Sequence, residues 1–129
     1  MEAEDTYYEK IPTATTGYDV YFFEHRYGGA GYVGVPVSHP LYKINLTEIQ
    51  DLTEAHSKLV MKIEVHGGIT YSSMGTEERK EDTSLWYIGW DAMHHANMLE
   101  MYAKRSYGIP VTKDFLRNET QKLANQLIG

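Results

Sequence analysis

The chain has 129 residues, 42% of them hydrophobic, and no cysteine. That length forms one domain whose core needs neither disulfide nor metal, and the lack of thiols excludes disulfide frameworks, cysteine zinc sites, iron–sulfur clusters and thiol nucleophiles. The net charge of −6, with acids scattered among lysines and arginines, gives no phosphate-neutralising footprint, so direct nucleic-acid binding is not expected.

Residues 1–16, beginning MEAEDTYYEK, are acidic and polar and read as a loosely ordered leader to a single domain over residues 17–129. No basic region followed by an apolar run marks a secretory signal, and no apolar run approaches the ~18 residues of a membrane span. A cytoplasmic protein without membrane contact is therefore expected. Tyr18–Arg26 (YDVYFFEHR) is rich in aromatic and β-branched residues and predicts a strand. It leads into Gly29-x-Gly31-x-x-Gly34, a literal G-x-G-x-x-G. A dinucleotide fingerprint needs a helix opening at its third glycine. Here Gly34 runs into Val-Pro-Val-Ser-His-Pro, so AGYVGV reads instead as a glycine-bearing strand that ends at a proline turn.

Asn45–His56 carries two overlapping capping-box patterns and the apolar stripe Leu46, Ile49 and Leu52, which predict a short helix. Leu59–Ser73 alternates as a strand, interrupted at Gly67-Gly68, and Met74–Thr83 reads as a charged surface loop. Ser84–Trp90 is apolar on both faces: Leu85, Tyr87 and Gly89 point one way and Trp86, Ile88 and Trp90 the other, as in a central covered strand. Asp91 is a helix N-cap candidate for Ala92–Arg105, with Ala92, Ala96, Leu99 and Ala103 as its core stripe. After the Gly108-Ile109-Pro110 break, Thr112 caps a last helix whose Leu116, Thr120, Leu123 and Leu127 share one face. The sum is an α+β fold: a mixed, mainly antiparallel sheet with a long C-terminal helix packed on it.

The densest polar and aromatic stretch is WYIGWDAMHHAN, Trp86 to Asn97. Asp91 either caps the next helix or faces a pocket with His94 or His95, three and four residues on. His66 precedes Gly67-Gly68, which forms either a β-bulge or an anion nest of backbone N–H groups. His39 lies in a turn. A divalent metal could draw on His39, His66, Asp91 and His94 or His95, because imidazole and carboxylate suit zinc, manganese or iron. None of these residues shows the H-E-x-x-H spacing, and G-x-S-x-G, P-loop and kinase signatures are absent. The 11 tyrosines fit an aromatic-rich sheet, with a stacking pocket or an oligomer interface as the alternatives.

Four stretches occur together in order: Gly31-Tyr-Val-Gly-Val-Pro with His39-Pro-Leu-Tyr42, Val65-His-Gly-Gly-Ile-Thr-Tyr71, Trp86-Tyr-Ile-Gly-Trp-Asp-Ala-Met-His94, and Leu116…Glu119…Leu123-Ala-Asn-Gln-Leu127. As a set they resemble a family of small proteins of tailed bacteriophages and prophages, over roughly residues 30–128. The family's third motif is similar to W-W-x-G-F-D-x-x-H-x-G-D. Trp86, Gly89, Asp91 and His94 match it, Trp90 stands for the phenylalanine, and Ala96 and Asn97 replace the glycine and second aspartate. The resemblance implies a phage origin and His94 rather than His95 at a site. It implies no particular activity.

Three functions follow as expectations. The first is a non-structural phage accessory protein, active against host defence, with one polar pocket for a small anionic, nucleotide-like ligand. Tyr32, His39, Tyr42, His66, Gly67, Gly68, Trp86, Trp90, Asp91 and His94 would line it. The second is a metal-assisted hydrolase using Asp91, His94 and His66. The third is an inhibitor that binds a host protein through its tyrosine-rich surface. A homo-oligomer is compatible with all three.

Overall fold

The computed structural model describes residues 6–48, 52–92, 99 and 103–128. Five strands form one sheet: β1 (Tyr7–Lys10), β2 (Asp19–His25), β3 (Gly28–Val35), β4 (Tyr71–Met74) and β5 (Trp86–Asp91), in the order β1-β2-β3-β5-β4. Every pairing is antiparallel. Helix α1 (Glu54–Met61) precedes β4, a small β6–β7 hairpin (Arg105–Ser106 and Ile109–Pro110) follows β5, and α2 (Lys113–Ile128) closes the chain. The fold is α+β, with the C-terminal helix on the sheet. Among the described residues no helix is long and apolar enough to cross a membrane.

Strand alternation sorts the sheet into two covered faces. Val20, Phe22, Val33, Val35, Ile88 and Trp90 form the core under α2. The helix contributes Leu116, Thr120, Leu123, Ala124 and Leu127, and begins with Thr112 Oγ1 accepting from the Phe115 N–H at 3.1 Å. Burial of each such leucine stabilises by ~1.5–3 kcal/mol, which makes this face the main source of stability. The glycines of G-x-G-x-x-G are packing residues. Gly29 and Gly31 let α2 lie close to β3: a Cβ at Gly31 would stand 1.8 Å from Thr120 Oγ1.

The opposite face is built from tyrosines. Tyr21, Tyr32, Gly89 and Tyr71 form one row across β2, β3, β5 and β4. The Tyr32 ring lies over Gly89, where a Cβ would stand 2.3 Å from it. A 3-10 turn at Glu77–Arg79 covers the row, with the Arg79 guanidinium 4.6 Å from the ring centroids of both Tyr32 and Tyr71. The Glu81 carboxylate accepts from the Tyr21 hydroxyl at 2.5 Å and from the Thr76 N–H at 3.1 Å, and lies 3.5 Å from Arg79 Nε. Met74–Thr83 is thus more than the charged surface loop its composition suggests, since Glu81 is a buried anchor.

Three other expectations are corrected. Tyr7–Lys10 pairs with β2 and is part of the sheet, whereas composition assigns it to a loose leader. The helix begins at Thr53, whose hydroxyl accepts from the His56 N–H, while the Asn45 side chain closes a local turn on Thr47. Leu59–Met61 therefore ends a helix instead of opening a strand; an apolar run this short fits both periods. Of the stripe assigned to residues 92–105, Ala92 is buried while Leu99 is 81% exposed and Ala103 is exposed; Ala96 lies outside the described residues.

Candidate functional site

The sequence-predicted residues divide between the two ends of β5. Trp86 and Trp90 both face α2 but lie four residues apart, ~13 Å at the 3.3 Å rise of a strand. At the Trp86 end, the indole N–H donates to the Ile44 carbonyl at 3.1 Å, and the Tyr42 hydroxyl donates to the Ser84 carbonyl at 3.0 Å. His39 accepts the Leu41 N–H on Nδ1 at 3.0 Å, and its Nε2 lies 2.8 Å from the Leu127 carbonyl, tying the proline turn to the end of α2.

The other end gathers His66, Gly67, Trp90 and Asp91. Gly67 and Gly68 adopt φ of +73° and +80°, which a residue with a Cβ reaches only with strain, and the turn closes with the Gly68 N–H on the Val65 carbonyl. That turn places the His66 ring edge-on to Phe115, Tyr107 and Trp90 at 5.0, 5.4 and 6.0 Å. Its Nε2 lies 2.9 Å from Ser106 Oγ, and its backbone N–H donates to Glu119 at 2.9 Å. A histidine and serine at that distance have the reach of a base and a nucleophile. Ser106 is only 2% exposed, and the His66 ring packs among Phe115, Tyr107 and Trp90. Trp90 is fully buried and donates to Thr120 Oγ1 at 3.0 Å.

Asp91 follows Gly89 onto the tyrosine face, opposite Ala30, and accepts from the Thr70 hydroxyl at 2.8 Å. Tyr32 lies on that face beneath Arg79. His94 and His95 lie outside the described residues, as does any cap that Asp91 makes on residues 93 and 94. Among the described residues no three His, Asp or Glu side chains converge as a metal site.

Beside this end lies a feature that no local motif announces. A cleft of about 500 Å3 opens between the β2–β3 turn, the approach to β6 and the start of α2, walled by Tyr7, Glu24, His25, Arg26, Lys104 and Lys113. Arg26, Lys104 and Lys113 thus lie beside His25 and Glu24 on one surface, in a chain of net charge −6. Lys104 Nζ pairs with Glu24 at 2.5 Å, and Lys113 Nζ lies 4.0 Å from the Tyr7 ring centroid. Lys104 has φ of +56°, uncommon for a residue with a Cβ, and its carbonyl is held by the Val111 N–H. Burial, and then the Lys104 charge, lower the His25 pKa from its usual 6.5, with Glu24 opposing them.

The signal for this cleft was spread along the chain. Arg26 ends a predicted strand, Lys113 follows a predicted cap, and Lys104 sits before a predicted break; only the fold brings them together. Comparison with family models, curated proteins and solved structures gives no match.

Proposed function

We propose that this protein binds a small phosphate-bearing anion in the cleft walled by Arg26, Lys104 and Lys113. The observation that carries the reading is the convergence of these cations and His25 on one concave surface of an otherwise acidic chain. Like charges held together repel, and an anion between them turns that repulsion into attraction. Arg26, which already holds one partner, has a planar fork suited to phosphate oxygens, and the two lysines offer point charges. Glu24 neutralises part of Lys104, and Lys113 stands over the Tyr7 ring. Antagonism of a host defence, common among small phage proteins outside the virion, is the setting proposed for such binding.

Titration calorimetry with inorganic pyrophosphate at low ionic strength tests the proposal. Saturable heat is expected, and the double variant Arg26→Gln/Lys113→Gln should bind at least about tenfold more weakly, a loss of ~1.4 kcal/mol. Absence of binding to the parent protein, or equal binding by the folded double variant, overturns it.

A further inference from the structure

A second concavity lies at the other end of the sheet from the cationic cleft. Tyr18, which precedes β2, borders it, whereas His25, which ends β2, borders the cleft. This groove of about 500 Å3 runs between the proline turn, the end of α1 and the end of α2. Leu41 and Leu127, both buried, form its floor, and Leu59, Ile63 and Ile128 its walls. Its polar atoms are mostly engaged. The His39 ring nitrogens meet the Leu127 carbonyl and the Leu41 N–H, and Gln126 exchanges hydrogen bonds with the Glu64 backbone. The Leu59 and Val60 carbonyls at the end of α1 accept from the N–H groups of Lys62 and Ile63. The Lys62 ammonium is the exception: among the described residues no carboxylate pairs with it.

From this geometry we infer that the groove binds a medium-chain carboxylate, with its alkyl chain on the Leu41–Leu127 floor and its head at Lys62. The groove has the size and the mainly apolar lining of a small-molecule site. Leu59 is left 38% exposed, apolar surface that a bound chain covers. Each methylene taken out of water multiplies affinity about fourfold, so the chain supplies most of the binding. A carboxylate gives Lys62 a counter-charge, worth at most about fivefold at an exposed site. A sugar or a base would need several hydrogen-bonding partners, and His39 and Gln126 have already committed theirs. The site is separate from the anion cleft and does not depend on it.

Titrations with octanoate, hexanoate, 1-octanol and octylammonium, all kept below micelle formation, test this. Octanoate should bind saturably, about tenfold more tightly than hexanoate and about three- to fivefold more tightly than octanol, with octylammonium weakest. Lys62→Gln should remove the advantage of octanoate over octanol and leave octanol affinity unchanged. Leu59→Glu puts a charge on the apolar wall and should abolish binding of both; its melting curve is recorded first. If that variant is destabilised, the methyl groups of Leu41, Leu59, Ile63 and Leu127 are followed by NMR in the parent protein, where octanoate but not acetate should shift them. Octanol binding as tightly as octanoate, or unaltered octanoate binding by Lys62→Gln, overturns the carboxylate. Absence of octanoate binding, affinity independent of chain length, or methyl shifts that follow protein concentration instead of octanoate, as a second copy in the groove would produce, overturns the site itself.

Discussion

Gly31 and Thr120 set the distance between the sheet and its helix. The threonine hydroxyl occupies the space where a side chain at residue 31 would begin, 1.8 Å from an ideal Cβ, and it also accepts the indole N–H of Trp90 at 3.0 Å. One contact thus fixes three elements, β3, β5 and α2, and satisfies the polar atom of the largest fully buried side chain. In the stretch that mimics a dinucleotide motif, Gly29 and Gly31 make room for α2, and Gly34 makes room for the Tyr87 ring on the other face.

Gly31→Ala should therefore destabilise far more than an added methyl normally does. Overpacking costs ~1–3 kcal/mol when side chains can shift; here the obstructing atom belongs to a buried helix residue, and we expect about 3 kcal/mol. Thr120→Val keeps the shape but strands the Trp90 N–H, at a cost of ~1–3 kcal/mol. Urea unfolding of both variants checks these values. A Gly31→Ala variant as stable as the parent would show that α2 does not sit this closely on β3.

The Glu81 anchor makes a second prediction. Its carboxylate serves Tyr21, the Thr76 N–H and Arg79 from a fully buried position. Breaking a buried pair costs ~3–5 kcal/mol. The Arg79 side chain is 31% exposed and can be partly resolvated, so about 2–3 kcal/mol is expected for Glu81→Ala. Hydrogen exchange should show loss of protection at Gly75 and Leu85, whose backbone N–H groups close the loop. Unchanged exchange there would mean that the loop is held by other contacts.

The N-terminal strand should respond to acid. Glu9 accepts two bonds from Arg117 at 2.9 Å and one from Tyr7 at 2.6 Å, and these bonds, Arg117 first, lower its pKa from 4.5 to about 2. A folded-state pKa below the unfolded one contributes stability above pH 4.5 that is lost as pH falls through about 2. The melting temperature of Glu9→Gln should lie below that of the parent at pH 7, and the gap should close between those two values. A gap that persists at pH 2 would assign the effect to shape and not to charge.

Anion binding should depend on pH through His25. Lys104 and burial disfavour its imidazolium in the free protein, with Arg26 and Lys113 on the same wall and Glu24 opposing. A bound anion favours the imidazolium, so binding takes up a proton and affinity rises as pH falls. Sulfate, which stays a dianion across this range, is the suitable probe. We expect roughly three- to tenfold tighter binding at pH 5.5 than at pH 7.5, and a flat profile for His25→Gln. Affinity that falls on acidification contradicts the assignment.

Much of this architecture was legible in the sequence, for physical reasons. The period of Leu116, Thr120, Leu123 and Leu127 placed α2, and the two apolar faces of residues 85–90 marked β5 as central. Both rest on burial patterns that local sequence carries. What was misread was decided by tertiary contacts. Tyr7–Lys10 pairs with β2, and Arg117, more than a hundred residues away in the chain, holds Glu9 there. Glu81 looks like a surface acid until Tyr21 is placed above it. Of the expected pocket residues, Trp86, His39 and Tyr42 stand at one end of β5, and His66, Gly67, Trp90 and Asp91 at the other. Their density along the chain reflected the alternation of a central strand. The cationic cleft had no local pattern to betray it, since its charges come from three separate elements.

The most direct test of the central claim is a two-dimensional amide NMR titration of the whole chain with pyrophosphate. Saturable shifts are expected at His25–Gly28, Lys104 and Val111–Asp114, with the Tyr18, His39 and Leu127 end unmoved. Shifts confined to that other end, or spread evenly over the surface, would contradict an anion site at Arg26, Lys104 and Lys113.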